Sequence, residues 1–386
     1  MQFSTSPNPQ ILKQSWKERF YSQPHQMFFV SAIFFAIFIM IMTLFSLMGK
    51  LSLEFSTIHG FGLNYAVFTN AFLGFLITVI PKYNASLPIK EELYVKPWII
   101  LQVAFFISLL INPLVGKLIV AIVMFYFAKI FYSTIKEGKA LIKEDSIYLN
   151  SIFTLGAVLL TFDAVFSLDL SYLIFFTYLI NMVYFVALRM IPGFYFTYTK
   201  INPWQKPKFI KPVSFILITT VAIALQFELK PLIMISSLLS FLFFTYVFIK
   251  LNMFKKTSAI LQILVIGFAW FPLGFLGIFL ESLLEGSILK LGLHIFALGF
   301  VTTLLIGFGS RVSLGHAIPA QPIIADEFTK WLFILTQVLV ISRIAASILV
   351  LDNSTIFMNI LHLSATIWIL LFFAWALKYG KYLLRV

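Results

Sequence analysis

The chain contains no cysteine and very few charged residues. Only 11% of its 386 residues are Asp, Glu, Lys or Arg, less than half of the roughly 25% that soluble domains carry. The absence of cysteine excludes a disulfide scaffold, iron–sulfur clusters, thiolate-ligated haem and covalent c-type haem attachment. Any bound metal must therefore be held by His, Met, Tyr or carboxylate groups.

The abundant residues are apolar: 61% of the chain is hydrophobic, and 46 residues are Phe. This composition cannot build a water-soluble surface, so it predicts an all-α, polytopic membrane protein. Twelve apolar segments approach the roughly 20 residues that a bilayer requires. We number them spans 1 to 12, at approximately 27–48, 59–80, 97–114, 115–135, 147–167, 171–192, 211–227, 230–250, 257–280, 290–311, 328–350 and 355–378.

The basic residues are distributed unequally between the two sides of this arrangement. Of the 28 Lys and Arg residues, 23 fall on the side of the N-terminus, 4 on the other side, and one, Arg343, within span 11. Because basic residues mark cytoplasmic loops, both termini are predicted to be cytoplasmic in a bacterial inner membrane. The net charge of +13 then reflects topology and contact with anionic lipid rather than nucleic-acid binding.

The loops are too short to hold a soluble domain. We therefore expect residues 25–386 to form a single twelve-helix transmembrane domain. Residues 1–24 are predicted to be a cytoplasmic interfacial segment, because Ile11–Phe20 alternates apolar and charged residues in the manner of a short amphipathic helix.

The chain has five histidines, and all lie at membrane depth or at its edge. His59, His294 and His362 fall toward the outer face, whereas His25 and His316 flank the cytoplasmic ends of spans 1 and 10. Any one of them could simply be an interfacial side chain bonded to a backbone carbonyl. Ionisable residues within spans are costly, however, and tend to mark functional sites.

His59 and His294 lie on different spans at matching depth, an arrangement that suits a b-type haem between two imidazoles. We expect them to be the axial ligands. Arg343, also in the outer half, is the candidate partner of a haem propionate, and its alternative partner is Asp163. His362 is a weaker candidate for a metal ligand.

A second group of candidates lies toward the cytoplasmic side. Arg189 ends span 6, and Arg311 stands five residues before His316 at the end of span 10. Both arginines could snorkel to lipid headgroups; the alternative is a site for an anion, a propionate or a metal. His25 and His316 are candidates for a second haem or a metal on this side.

A short motif recurs every four spans. Val79-Ile80-Pro81 ends span 2, Met190-Ile191-Pro192 ends span 6, and Ala317-Ile318-Pro319 follows span 10. This spacing suggests three four-helix units.

Several of these motifs together resemble the NnrS family of bacterial membrane proteins. Arg311-Val312-x-Leu314-Gly315-His316 after His294 is similar to its span 10 signature. Further matches are His59 with Gly74 to Pro81, Arg189-x-Ile191-Pro192-x-Phe194, Ser342 to Ala345, Trp368 to Tyr379, and Pro24 to Phe29.

The resemblance implies a haem- and copper-containing protein that acts in nitric oxide metabolism or resistance to nitrosative stress. One departure concerns copper. The family commonly has His-x-His-Glu entering span 2, and here the run is His59-Gly60-Phe61-Gly62. The second His and the Glu that the resemblance would offer to copper are absent.

The layout is also similar to the catalytic subunit of haem-copper oxidases, with twelve spans in three four-helix arcs and a haem between spans 2 and 10. That subunit needs a histidine trio on spans 6 and 7. These spans contain no histidine here, which argues against terminal oxidase or nitric oxide reductase chemistry of that type and leaves haem binding or electron transfer.

A secondary transporter of a small anion or metal complex is the alternative function. Twelve spans with internal repetition are common among transporters, and Asp163, Arg189, Arg311 and Arg343 could line a path for an anion or a proton. A purely structural membrane protein is disfavoured by the five histidines at membrane level.

Overall fold

A computed structural model describes residues 15–52, 54–284, 288–319, 321–349 and 354–384. In this part of the chain the secondary structure is helical throughout, with no strand, and helix accounts for 82%. The predicted all-α membrane fold is confirmed.

Eleven helices are long and apolar enough to cross a membrane, and a twelfth apolar helix of 17 residues lies where the sequence predicts span 7. The helices follow the predicted spans closely. In chain order they are Pro24–Leu47, Thr57–Asn84, Glu91–Leu110, Pro113–Glu137, Glu144–Phe166, Ser171–Thr199, Ile210–Gln226, Lys230–Leu251, Ala259–Leu283, Leu291–Gly315, Glu327–Ile348 and Thr355–Leu384.

Local sequence fixes several helix starts. Pro24 and Pro113 begin spans 1 and 4, where proline's missing N–H removes no intrahelical bond. The Asn112 side chain accepts a hydrogen bond from the Val115 amide at 3.1 Å. Asp326 plays the same capping role at the start of span 11. These caps satisfy amides that a helix N-terminus leaves unpaired.

A short helix, Trp16–Tyr21, precedes span 1. Ser15 and Glu18 form a capping box at its start, and these hydrogen bonds lower the pKa of the Glu18 carboxyl. The Trp16 indole donates to the Leu384 carbonyl oxygen at 2.7 Å. The N-terminal helix therefore lies beside the end of span 12, as an even number of spans requires. Residues 11–14 of the predicted amphipathic segment lie outside the described residues.

Contacts divide the chain into two compact units. Unit 1 contains residues 1–170, 310–323 and 372–386, and unit 2 contains residues 171–309 and 324–371. Span 10 contributes to both units, its end from Ser310 onward belonging to unit 1. The single-domain organisation of residues 25–386 stays a prediction.

Spans 2, 6 and 10 depart from the α-helix in the same way. Each contains a π-helical segment before its α-helical part: Ser56–Val67, Ile174–Ile180 and Ile295–Thr302. These spans are also the most buried, at 83%, 78% and 72% of their apolar stretch, against 28% to 56% in the others of spanning length. The π segments recur at the four-span interval that the Ile-Pro motifs predict.

Polar side chains stand where each π segment passes into α-helix. Asn70 donates to the Ala66 carbonyl at 2.8 Å, and Asn181 donates to the Thr177 carbonyl at 3.5 Å. In span 10, the hydroxyl of Thr302 donates to the carbonyl five residues earlier at 2.7 Å, as does that of Thr303 at 3.1 Å. These bonds satisfy carbonyls at the change of helix type in surroundings that supply little water.

Span 3 approaches span 4 so closely that only glycine fits at position 116. A Cβ on Gly116 would lie 2.3 Å from the backbone nitrogen of Ser108. Gly116→Ala is therefore expected to force the two helices apart and to lower the free energy of unfolding by about 1–3 kcal/mol. Thermal unfolding of the purified protein in detergent measures this.

The matched control is Gly193→Ala in span 6, where a Cβ meets no atom within 4 Å. This change is expected to leave stability unaltered or to raise it by up to about 1 kcal/mol. Equal unfolding temperatures for the two variants would contradict the close approach at Gly116.

Candidate functional site

His59 lies in the π-helical segment of span 2, within unit 1. Its half-buried ring stacks on Phe55, with ring centroids 5.0 Å apart and planes inclined by 18°. The next residue is Gly60, where a Cβ would meet no described atom within 4 Å. The helix surface beside His59 is therefore open at this point.

His294 stands at the start of span 10, immediately before its π segment, within unit 2. Its Nδ1 lies 2.7 Å from the Lys290 carbonyl oxygen. A carbonyl oxygen only accepts hydrogen bonds, so Nδ1 carries the proton. The lone pair of the neutral imidazole is then on Nε2. This nitrogen takes no part in the hydrogen bond to Lys290, so it is the one that suits a metal.

Glu281, near the end of span 9, holds the beginning of span 10. Its carboxylate accepts a short hydrogen bond from the Leu291 amide and another from the Gly292 amide at 3.3 Å. A carboxylate at a helix N-terminus satisfies unpaired amides and opposes the positive end of the helix dipole. Glu281 thereby fixes the turn of helix that carries His294.

Arg343 belongs to the same network in unit 2. It is 8% exposed, donates to the Ser347 hydroxyl at 2.9 Å, and lies within reach of the Glu281 charge. The Ser347 carbonyl in turn accepts from the Leu289 amide at 3.0 Å. Span 11 is thus tied to the segment that leads into His294.

The sequence offers Asp163 as the alternative partner of Arg343. Asp163 instead forms an ion pair with Lys117, at 2.7 Å, and its second oxygen accepts from the Leu170 amide at 3.3 Å. Lys117 lies near the start of span 4, on the same predicted side of the membrane as the end of span 5. Its ammonium group therefore reaches the Asp163 carboxylate within unit 1.

His25 and His316 meet within unit 1. Their ring centroids are 4.8 Å apart and their planes are inclined by 50°. His25 is 3% exposed and His316 is half-buried. The Nδ1 of His316 lies 3.2 Å from the Val312 carbonyl oxygen, which again places the lone pair on Nε2. The sequence predicts that both histidines lie on the cytoplasmic side, and the structure brings their rings together.

The other predicted site residues are dispersed. Arg189 and Arg311 are half-buried at the ends of spans 6 and 10, in different units. His362 lies in unit 2, and its Nε2 is buried without a hydrogen-bond partner among the described residues. His59 and His294 belong to different units, and their pairing stays a prediction. The described part of the chain contains no group of three or more His, Asp or Glu side chains that could hold a metal ion.

Sequence reasoning missed Glu281. A signal was available, because Glu281 is the single acidic residue of an otherwise apolar run, Ile278-Phe279-Leu280-Glu281, and a carboxylate at that depth calls for a partner. Its partners are backbone amides ten and eleven residues later, which no side-chain pattern indicates.

Glu281→Gln is expected to weaken the start of span 10. The amide side chain keeps one acceptor oxygen and loses the charge, so we expect a loss of about 1–3 kcal/mol in stability. Glu327→Gln is the matched control, because Glu327 is 81% exposed and pairs only with the neighbouring Lys330. That variant should change stability by no more than about 0.5 kcal/mol. Similar thermal midpoints for both variants would contradict the capping role.

Comparison with known proteins gives one family match. The profile of the family described as NnrS protein matches residues 19–386, nearly the whole chain. A search of curated proteins finds no match.

Proposed function

The chain belongs to the NnrS family, and from this membership we propose that it is a haem-binding membrane protein acting in the response to nitric oxide. His59 and His294 are the proposed axial ligands of a b-type haem. The observation that carries the proposal is the hydrogen bond from His294 Nδ1 to the Lys290 carbonyl, because it leaves Nε2 as the iron-binding nitrogen.

The surroundings of both imidazoles suit a large planar group. Beside His59, Gly60 leaves open space where any other residue would place a side chain. Near His294, span 10 contributes Phe296, which packs edge-on against Phe271 and Phe275 with centroids 5.6 and 4.7 Å away. Apolar, aromatic surroundings favour a porphyrin over water.

Arg343 is the proposed partner of a haem propionate. A guanidinium carries five N–H donors, so the bond to Ser347 leaves capacity for a carboxylate. Glu281 would then compete with the propionate for the same cation. Copper, which the resemblance also implies, has no assigned residues in this proposal, because the second His and the Glu after His59 are absent.

Two imidazole ligands define what such a site does. Haem iron, when bound, supplies one-electron redox chemistry and an affinity for diatomic gases. With His59 and His294 as its two protein ligands, such a haem would suit electron transfer. The bond to Lys290 would orient the His294 ring, and the stack on Phe55 would orient the His59 ring.

The proposed location is the inner membrane of a bacterium, with both termini in the cytoplasm. The contact of Trp16 with Leu384 supports termini on one side, and the 23 to 4 distribution of Lys and Arg supports the cytoplasm as that side. The apolar helices imply a lipid bilayer around the protein.

The haem proposal predicts a visible Soret band. Protein purified in detergent after expression with ample haem should show a low-spin b-type spectrum on dithionite reduction. His294→Ala should abolish or strongly reduce haem content, because it removes the anchored ligand. His59→Ala should leave a five-coordinate, high-spin haem if any is retained. A pyridine haemochrome assay measures the stoichiometry.

His362→Ala serves as the control, since it removes an imidazole from another span, and its spectrum should match that of the wild type. A folded but colourless wild-type protein would overturn the haem proposal. In that event substrate flux in liposomes becomes the decisive measurement, because it tests the transporter alternative.

The orientation is testable by thiol labelling, because the natural chain has no cysteine. Asp169→Cys places a thiol in the exposed turn between spans 5 and 6, and Lys139→Cys places one in the exposed loop between spans 4 and 5. A membrane-impermeant maleimide applied to intact spheroplasts should label Asp169→Cys only. Inverted vesicles should give the reverse, and labelling of Lys139→Cys in spheroplasts would contradict the orientation.

A further inference from the structure

We propose that His25 and His316 form a binding site for a zinc ion, separate from the proposed haem ligands. The two imidazoles come from the start of span 1 and from the exit of span 10, and both belong to unit 1. This inference does not depend on the presence of haem.

The distance between the rings fits two ligands on one ion. An imidazole that binds zinc at roughly 2.0–2.1 Å places its ring centre about 3 Å from the ion. Two such rings are therefore about 6 Å apart on opposite sides of the ion and about 5 Å apart at a tetrahedral angle. The observed separation of 4.8 Å matches the tetrahedral arrangement. It is short for the two faces of a haem, so it favours a metal ion.

The tautomer of His316 suits metal binding. Its neighbour His25 is 3% exposed and lies in the first turn of span 1. His316 donates Nδ1–H to the Val312 carbonyl, which fixes its tautomer with Nε2 as the ligand atom. A backbone carbonyl in this role is the usual outer partner of a metal-binding histidine.

Each histidine has a buried polar neighbour whose bonding is incomplete. Gln26 follows His25 and is 0% exposed, yet both its amide oxygen and its amide nitrogen are without a hydrogen-bond partner among the described residues. Ser313 lies one turn before His316 and is 2% exposed, and its hydroxyl also has no hydrogen-bond partner among the described residues. Buried polar groups are normally satisfied, so these atoms favour a bound ion and its water at this place.

The chemistry of the donors selects the class of ion. Imidazole nitrogen suits zinc, copper and nickel, whereas magnesium, calcium and manganese prefer carboxylates. Neither histidine has an acidic neighbour within four residues along the chain. The alternative role for the pair is a structural ring contact that ties the exit of span 10 to span 1.

The test uses zinc as the probe. Full-length protein is stripped with a chelator in detergent, loaded with Zn²⁺, passed through gel filtration and measured for metal content. One zinc ion per chain is expected for the wild type, and X-ray absorption should show nitrogen ligands at roughly 2.0–2.1 Å. His25→Ala and His316→Ala should each lose the ion, and His362→Ala should keep it.

His316→Cys separates loss of a ligand from loss of folding. The chain has no other thiol, and a thiolate also binds zinc, so this variant should retain the ion and gain a sulfur ligand at roughly 2.3 Å. Gln26→Leu, which keeps the side-chain volume, should weaken zinc binding roughly tenfold if the amide supports the site.

A wild-type protein that retains no zinc would overturn the proposal. So would equal zinc content in His25→Ala, His316→Ala and His362→Ala, and so would a zinc-loaded His316→Cys variant without a sulfur ligand. Because the readout is metal content, its failure leaves the haem proposal standing, and a colourless protein that still binds zinc leaves this one standing.

Discussion

The need to satisfy every backbone polar group without water constrains this chain more than any other interaction. In hydrocarbon an unpaired carbonyl costs several kcal/mol, so departures from the α-helix require both protein cover and substitute bonds. The three π-helical segments occur in the spans with the greatest burial, 72% to 83%. Each ends at an Asn or Thr that bonds a carbonyl four or five residues earlier. These Asn and Thr side chains satisfy carbonyls at the change of helix type.

Hydropathy predicted the spans because length and composition are sufficient to identify them. The helices lie within a few residues of their predicted places, apart from the earlier start of span 3 and the later ends of spans 6 and 12, and span 7 is the short one. The π segments have no signature in hydropathy, since Ile174–Ile180 and Ile295–Thr302 are as apolar as ordinary spans. Asn70 and Asn181 are the sequence signal for two of these segments, each eleven residues before the proline of an Ile-Pro motif.

The sequence predicts how deep each candidate residue lies in the membrane, but it does not predict which spans lie beside one another. Sequence places His25 and His316 on one side of the bilayer, because each flanks the same end of a span. It cannot say that spans 1 and 10 bring their rings to 4.8 Å, because 290 residues separate them in the chain. The partner of Asp163 is a second example. Depth alone offers Arg343, and the structure pairs Asp163 with Lys117.

The histidines at the two ends of span 10 make the same hydrogen bond. His294 and His316 each direct Nδ1 to the carbonyl four residues earlier, at Lys290 and Val312, so both present Nε2 outward from the helix. The two proposed groups, haem and zinc, differ in the net charge that they bring into the protein. A porphyrin carries two negative charges that offset the two positive charges of ferrous iron, so a haem tolerates apolar, aromatic surroundings. A divalent ion on neutral imidazoles keeps its full charge, which is costly in hydrocarbon. His25 and His316 lie at span ends, where water and anionic headgroups lower that cost.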